Sequence, residues 1–557
     1  VPHVVTQACC GDASCVFACP VNAIHPTPDE ADFGLAEMLY IDPVSCVDCG
    51  ACVTACPVGA ISAHDKLTDA QLPFVEVNAM FHSPQRSYPP QAPVSPVTAR
   101  SSRDELRVAI VGAGPAALFA ADELLKRPRV SVTVIDRLPT PHGLVRAGVA
   151  PDHPTTKTVE GLFGQIEDQD GFSYLLGVDV GVDADVSHDE LLAHHHAVLY
   201  ATGASQDRRL GIAGEDLAGS ETATAFVAWY NGHPDHAGRT FDLSTERTVI
   251  IGNGNVALDV ARILATDPDR LATTDIADHA LSALRDSAVR EIVLVGRRGA
   301  AHAAFTLPEL VGLVQRGDID IRVEGDDLLP SGTDAMADLK LDVLREAAYR
   351  PRRPGTRTIV FRFAASPLEI IGTDRVDGVR VCRNDLVADE SGVVRAVPTA
   401  DVEVLPTGVV LRSIGYRGLP VYGLPFDDVT ATVPHESGRV VGRPGAYVAG
   451  WIKRGPNGFI GTNRSCAQET VDLLVADANA GMLASPIGSS RAFTDLVAAR
   501  VADAIDLRGW RAIDRRERQL GRDDGRPRRK LVSREALLDA AVPEPPARGR
   551  GRRRVRR

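Results

Sequence analysis

Eight of the ten cysteines in this 557-residue chain lie between Cys9 and Cys56, and their spacing suits iron–sulfur ligation. In "CVDCGACVTACP", Cys46, Cys49 and Cys52 recur at x-x intervals, so one turn of backbone can offer thiolates to three corners of a small cube. Cys56 follows, before a proline. The upstream run "TQACCGDASCVFACP" is irregular, with Cys9 and Cys10 adjacent and Cys15 and Cys19 beyond them. Adjacent thiolates reach two corners of one cube with difficulty, so one of the pair is expected to be a spectator. A zinc ribbon would want two C-x-x-C pairs rather than eight cysteines with Cys-Pro twice.

Two glycine turns carry a second chemistry. Gly112, Gly114 and Ala117 stand at the GxGxxG/A positions between the strand-like "RVAIV" and a helical run. There the first glycine turns the chain, the second admits a pyrophosphate, and the helix N-terminus stabilises its charge. Asp136 ends the next strand, where a carboxylate accepts ribose hydroxyls and repels a 2′-phosphate, so this turn suits FAD or NAD. Gly252, Gly254 and Ala257 repeat the pattern, but their next strand ends in Gly296, Arg297 and Arg298. Two guanidiniums favour a 2′-phosphate, which makes NADPH the expected ligand.

These residues must be positioned by several units, and the length alone suggests about three domains at roughly 100–200 residues each. "CVFACPVNAI" from Cys15 and "CVTACPVGAI" from Cys52 differ only at Phe17/Thr54 and Asn22/Gly59, so residues 1–80 read as a duplicated small α+β fold. Residues 82–104 are proline-rich and without period; at about 3.1 Å per residue such a linker spans roughly 70 Å. After it, strands alternate with helices, the pattern of parallel α/β sheets. Residues 105–208 and 408–540 are expected to form a discontinuous FAD-binding domain and residues 209–407 an NADP-binding domain, both Rossmann-like and doubly wound. Residues 541–557 form a basic tail, expected to be disordered.

The net charge of −12 excludes a general nucleic-acid binder. No apolar run nears the roughly 20 residues of a membrane helix and no secretory signal is legible, so no membrane insertion is expected. Clustered cysteines outside disulfides fit a reducing, cytoplasmic setting. Cys382 and Cys466 are expected to be buried small hydrophobes. His194, His195 and His196 match no ligand spacing and are expected on a solvent-facing loop.

The first 65 or so residues resemble bacterial two-cluster ferredoxins. The cysteine preceding proline ligates the other cluster in such proteins, so Cys19 would complete a [4Fe-4S] cluster with Cys46, Cys49 and Cys52, while Cys56 crosses to the irregular run. Cys9, Cys15 and Cys56 then remain, three ligands as a [3Fe-4S] cluster requires; ligation by Cys10 as well would give a second [4Fe-4S] cluster.

From about residue 105 to 540 the chain resembles the adrenodoxin reductase family of ferredoxin–NADP reductases, through "PTPHGLVRAGVAPDHP", "GNGNVALDVARIL", "VGRRG", "SIGYRG" and "GWIKRGPNGFIGTN". The whole resembles the ferredoxin-fused form. The resemblance implies FAD against Gly112, Gly114, Ala116 and Asp136, under Leu144, and near Trp451, Gly458, Phe459 and Ile460, with Val180, expected on a strand "GVDVG", toward the adenine. It implies NADPH against Asn255, Val256, Ala257, Arg297, Arg298 and Glu309, with Arg208 at the hinge, and His153 and Asp259 close to the nicotinamide as the catalytic pair, in a proton-managing or positioning role. Hydride transfer from NADPH to FAD, then single electrons to the chain's own ferredoxin domain or an external ferredoxin or other acceptor, is the activity implied. A glutamate synthase small-subunit-like electron-input module and a non-enzymatic redox sensor are the rival readings.

Overall fold

The computed structural model describes residues 2–83 and 105–542, except 327, 331, 333, 391, 392 and 422. The proline-rich segment 82–104 and the basic tail 541–557 lie, beyond their first two residues, outside the described residues.

The duplicated sequence folds as two copies of one unit. In each, a left-handed residue, Ala13 (φ 61°) or Gly50 (φ 74°), opens a short helix, Ser14–Ala18 or Ala51–Ala55. Each helix is closed by an extended cysteine, Cys19 or Cys56, whose sulfur accepts a backbone N–H, from Ala23 at 3.3 Å or Ala60 at 3.2 Å. Two antiparallel ribbons pair His3–Val5 with Ile61–Ala63 and Ile24–His25 with Tyr40–Ile41. Buried Asn78, on the helix Pro73–Phe81, joins them. Its Oδ1 accepts from Val5 N at 3.2 Å and Ile41 N at 2.9 Å, and its Nδ2 donates to Val5 O at 2.9 Å. A polar side chain in this core is thus fully partnered.

Downstream, apolar runs form strands buried on both faces, as parallel sheets covered by helices require. Leu106–Val111 lies inside a seven-stranded sheet, between Ala197–Tyr200 and Val130–Asp136, with Phe172–Leu176 at one edge and Ala446–Val448 leading to a hairpin at the other. A second, wholly parallel sheet of six strands runs Ser220–Thr222, Val409–Arg412, Arg247–Ile251, Glu291–Val295, Arg357–Arg362, Ile319–Glu324. The chain passes between the two sheets twice, and the crossings pair as Gln206–Asp207 with Tyr416–Arg417. A three-stranded antiparallel sheet, Ala365–Ile371, Gly378–Ala388 and Val394–Pro406, is appended to the second unit. Among the described residues no helix is long and apolar enough to cross a membrane. Cys382 and Cys466 are buried.

Two expectations are corrected. His194–His196 do not face solvent: His194 ends the helix His188–His194, and His195 and His196 are 2 % and 8 % exposed. His195 Nδ1 pairs with Leu191 O at 2.9 Å and His196 Nδ1 accepts from Arg107 N at 3.0 Å, so the rings join the helix end to the first strand. Burial pushes His195 down to about 4, which keeps the ring neutral. Val180 is not on a strand. It lies past the end of Phe172–Leu176 and forms a single bridge with Val186.

Candidate functional site

The first glycine turn is shaped by contacts only glycine tolerates. Gly112 has φ 103°, and an added Cβ would stand 2.5 Å from Ala201 O. Gly114 precedes the helix Pro115–Leu125 without any side-chain cap, leaving first-turn amides open to a ligand. Gly143 comes so close that a Cβ on it would lie 3.0 Å from Gly114 Cα, which brings Leu144, 40 % exposed, to the same turn. On the other side a Cβ on Gly450 would be 2.6 Å from Ala116 Cβ, placing Trp451 beside the helix start. Asn463 links the next loop, its Nδ2 donating to Phe459 O at 3.1 Å and Ile460 O at 3.0 Å. Gly458, at φ 79°, makes the bend before them. Asp136 already braces the turn: Oδ2 accepts from Ala113 N at 2.8 Å and Oδ1 from Leu138 N at 2.9 Å. Burial raises its carboxyl, against those two amide bonds. Each oxygen keeps a second lone pair, which a ribose hydroxyl fits.

The second turn repeats the geometry. Gly252 has φ 121°, and a Cβ there would meet Ser413 O at 2.0 Å. Helix Asn255–Ala265 also starts without a side-chain cap; Asn255 Oδ1 accepts from Thr306 N at 2.8 Å and Ala257 is fully buried. Val256 packs on the core of this unit. Arg297 is exposed and Arg298 half-buried. Among the described residues neither guanidinium has an acidic partner, a free cationic pair that a 2′-phosphate fits. Exposed Arg208 lies at the crossing, its N–H donating to Gly415 O at 3.1 Å.

Between the turns, polar atoms of His153, Asp259 and Glu309 lie within 4.8 Å of one another. Asp259 Oδ1 accepts from Arg262 Nη2 at 2.7 Å, and Glu309 Oε2 lies 3.9 Å from His153 Nε2 and 4.0 Å from Arg262 Nη1. Burial pushes the Glu309 carboxyl up and Asp259 adds to this, opposed by His153, Arg262 and a hydrogen bond from Gln7. Arg262 Nη1 and Tyr230 Oη are buried without a hydrogen-bond partner among the described residues, as befits a pocket that takes a polar ring substituent. An imidazole with two carboxylates also has the make-up of a cation site; here the guanidinium of Arg262 fills that electrostatic role.

The cysteines fall into two groups. Cys19, Cys46, Cys49 and Cys52 line one cavity. Burial, then repulsion from Cys46, Cys19 and Cys49, pushes the Cys52 thiol up to about 11. Cys9 is likewise pushed up to about 11 by burial, with Cys56 adding to it, and Cys15 feels both Cys9 and Cys56. Thiolates that destabilise one another in this way fit a cationic iron core, which would lower all of them. Cys10 lies beside this second group: burial, then Asp12, Cys9 and Cys56, push its thiol well up, Cys9 and Cys56 pack against the apolar cluster it shares with Ala116 and Ala117 of the first turn, and its thiol donates to Asp12 at 3.9 Å.

Residues 106–294 match the pyridine nucleotide-disulphide oxidoreductase family and residues 8–60 the 4Fe-4S dicluster domain. The chain is 52 % identical, over 100 % of its length and 98 % of the other's, to a probable ferredoxin/ferredoxin–NADP reductase of Mycobacterium tuberculosis. The chain belongs to the ferredoxin/ferredoxin–NADP reductase family. The NADPH-ferredoxin reductase FprA of the same organism is 47 % identical over 77 % of this chain and 98 % of its own. The solved structure of FprA in complex with NADPH covers 79 % of this chain and 100 % of that one, with a TM-score of 0.75 at 45 % identity.

Residues that spacing could not single out join the two halves of the chain. Gly461 N donates to Cys10 O at 2.7 Å, and a Cβ on Gly461 would stand 2.1 Å from Asp12 N, so the loop beside Cys9 seats directly on the loop after Phe459 and Ile460. Arg464 Nη1 reaches Ser14 Oγ at 2.7 Å and Asp12 Oδ2 at 3.4 Å. On the far side Gln7 Nε2 donates to Glu309 Oε2 at 3.1 Å and Glu37 Oε2 accepts from Leu307 N at 2.6 Å. Glycines without a visible turn, Gly312 and Gly461, were the one sequence signal of this seat.

Proposed function

We propose that the chain oxidises NADPH through bound FAD and delivers electrons singly to its own iron–sulfur centres, and from them to an external one-electron carrier. The observation that carries this is the seating of the Cys10–Asp12 loop on Gly461, which brings the Cys9, Cys15 and Cys56 group against the loop that follows Trp451. FAD, when bound, takes a hydride from nicotinamide and gives up electrons one at a time, as an iron–sulfur centre requires.

In this reading residues 105–208 with 408–540 hold FAD, through Gly112, Gly114, Ala116 and Asp136, with Leu144, Trp451, Gly458, Phe459 and Ile460 around the flavin. Val180 is the outlying adenine-side residue. Residues 209–407 hold NADPH, with Asn255, Val256 and Ala257 at the pyrophosphate, Arg297 and Arg298 on the 2′-phosphate, and Arg208 at the hinge. His153, Asp259 and Glu309 hold the nicotinamide end. Residues 1–80 carry a [4Fe-4S] cluster on Cys19, Cys46, Cys49 and Cys52, and a [3Fe-4S] cluster on Cys9, Cys15 and Cys56; the hydrogen bond that the Cys10 thiol donates to Asp12 supports its exclusion. The need for reduced thiolates as ligands supports a reducing, cytoplasmic setting.

The cluster farther from the reductase is the exit. Cys49 is exposed, and the exposed apolar side chains of Val21 (39 %) and Val47 (59 %) line the same cavity. From Pro2 to Ser83 the sole lysine or arginine is Lys66, against ten aspartates and glutamates. An electron carrier with a basic face is the partner such a surface suits. The test is anaerobic NADPH oxidation with cytochrome c as acceptor. The rate should fall steeply as salt rises through about 0.1 M, where the Debye length shrinks to about 10 Å; absence of NADPH oxidation refutes the function, and a salt-independent rate refutes the exit face.

A further inference from the structure

The helix Leu307–Val314, which carries Glu309, is gripped from the ferredoxin side at three levels. Leu307 and Val311 are buried in one apolar cluster with Phe74 and Val77 of the ferredoxin helix. At the helix start Thr306 makes no side-chain cap, and Glu37 supplies one from outside by accepting the Leu307 amide at 2.6 Å. Glu37 is itself held by Lys340 at 3.5 Å. Farther in, the Gln7 amide donates to Glu309 at 3.1 Å.

Gln7 is fixed where it stands. Thr6, its neighbour, donates from N and Oγ1 to Ala60 O at 2.8 and 2.9 Å, and Cys9 N donates to Thr6 O at 3.1 Å. Across from it, Gly312 leaves the notch the amide fills: an added Cβ would stand 2.2 Å from Gln7 Nε2 and 2.4 Å from Cδ. Glycine inside a helix weakens it, so its presence in the apolar run "LPELVGLV" has this contact as its physical reason.

The geometry points to Gln7 as a positioning residue for the nicotinamide pocket: the ferredoxin domain completes the NADP(H) site by holding the Glu309 carboxylate. This rests on the reading that Glu309 faces the nicotinamide. Glu309 shares its space with Asp259, a like charge, while its attractive neighbours His153 and Arg262 stand at 3.9 and 4.0 Å, beyond hydrogen-bond reach. The Gln7 amide is the donor within bonding distance. Without it the carboxylate is free to swing toward Arg262 and close the space a carboxamide would enter.

The test uses the full-length holoprotein with Gln7→Ala, Gly312→Ala and both together. Binding of NADP+ and of 2′,5′-ADP, which lacks the nicotinamide half, is read from the flavin difference spectrum, with iron content counted first. Each single variant should weaken NADP+ about three- to tenfold, the range expected for one lost hydrogen bond, and leave 2′,5′-ADP unchanged. The double variant should be no weaker than Gln7→Ala, since the added methyl then has nothing to displace. Gly312→Ala, made on the reductase side, carries the test if Gln7→Ala loses iron. Unchanged NADP+ affinity, equal loss of 2′,5′-ADP affinity, or additive effects overturn the inference. Wild-type protein that binds neither nucleotide would instead refute the nucleotide site itself.

Discussion

Truncating Arg298, and then Arg297, separates recognition of the 2′-phosphate from the rest of nucleotide binding. The frame beneath both side chains is independently pinned: Arg298 O accepts from Ala364 N at 3.1 Å and Arg297 O from Asn384 Nδ2 at 2.8 Å. Neither guanidinium has an acidic partner among the described residues, so alanine frees no buried charge. A charge-assisted hydrogen bond contributes about 1.5–3 kcal/mol. Exposed Arg297 belongs at the lower end and half-buried Arg298 at the upper. With tenfold per about 1.4 kcal/mol, Arg297→Ala should raise the KM for NADPH roughly tenfold and Arg298→Ala roughly a hundredfold. The pair share one phosphate, so the double variant should fall short of the product. NADH has no 2′-phosphate and should be used as by the wild type. Steady-state ferricyanide reduction with both nucleotides measures this directly. Equal loss for NADPH and NADH would refute the charge argument, because a merely structural role damages both.

Iron counts and electron paramagnetic resonance of cysteine variants test the ligand sets: Cys56→Ser should remove the centre of Cys9 and Cys15 alone, Cys19→Ser the other alone, and Cys10→Ser neither; losses that follow sequence runs instead would contradict the crossing. Gly252→Ala forces a residue with a Cβ to φ 121° and 2.0 Å from Ser413 O. It should lower unfolding free energy by at least about 1–3 kcal/mol, read as a fall in Tm, and an unchanged Tm would contradict the strain argument. Burial lowers Lys530 from 10.5 to about 7, with Lys157 and Arg146 pushing the same way against Asp275. Between those values the unfolded chain binds more protons, so this lysine makes stability rise as pH climbs from about 7 toward 10.5. The difference in Tm between wild type and Lys530→Met should therefore move in favour of wild type over that window; a constant difference would refute it.

Much of the fold was legible because its constraints are local. Parallel strands buried on both faces must be apolar throughout, so "RVAIV", "TVII" and "IVLV" announce themselves, and the turns after the first two demand glycines that no other residue can replace. Cysteine spacing carries its own geometry. The errors came where residue type misled about surroundings. His195 and His196 look like surface residues, yet the first packs against Phe493 at a ring distance of 4.8 Å and the second bonds the first strand. Val180 alternates like a strand but follows the end of one. What no spacing could reveal is how the ferredoxin seats on the reductase, since Gln7, Glu37 and Gly461 meet their partners across hundreds of residues of chain. Only the surplus glycines hinted that another backbone or side chain must come close.

The central claim is that electrons pass inside one chain, from nicotinamide through the flavin to the seated ferredoxin. Rapid-freeze electron paramagnetic resonance after anaerobic mixing with NADPH tests it most directly. The signal of the centre held by Cys9, Cys15 and Cys56 should change at a rate independent of protein concentration. A rate that scales with protein concentration, or a flavin that is reduced while both iron–sulfur signals stay as they were, would contradict it.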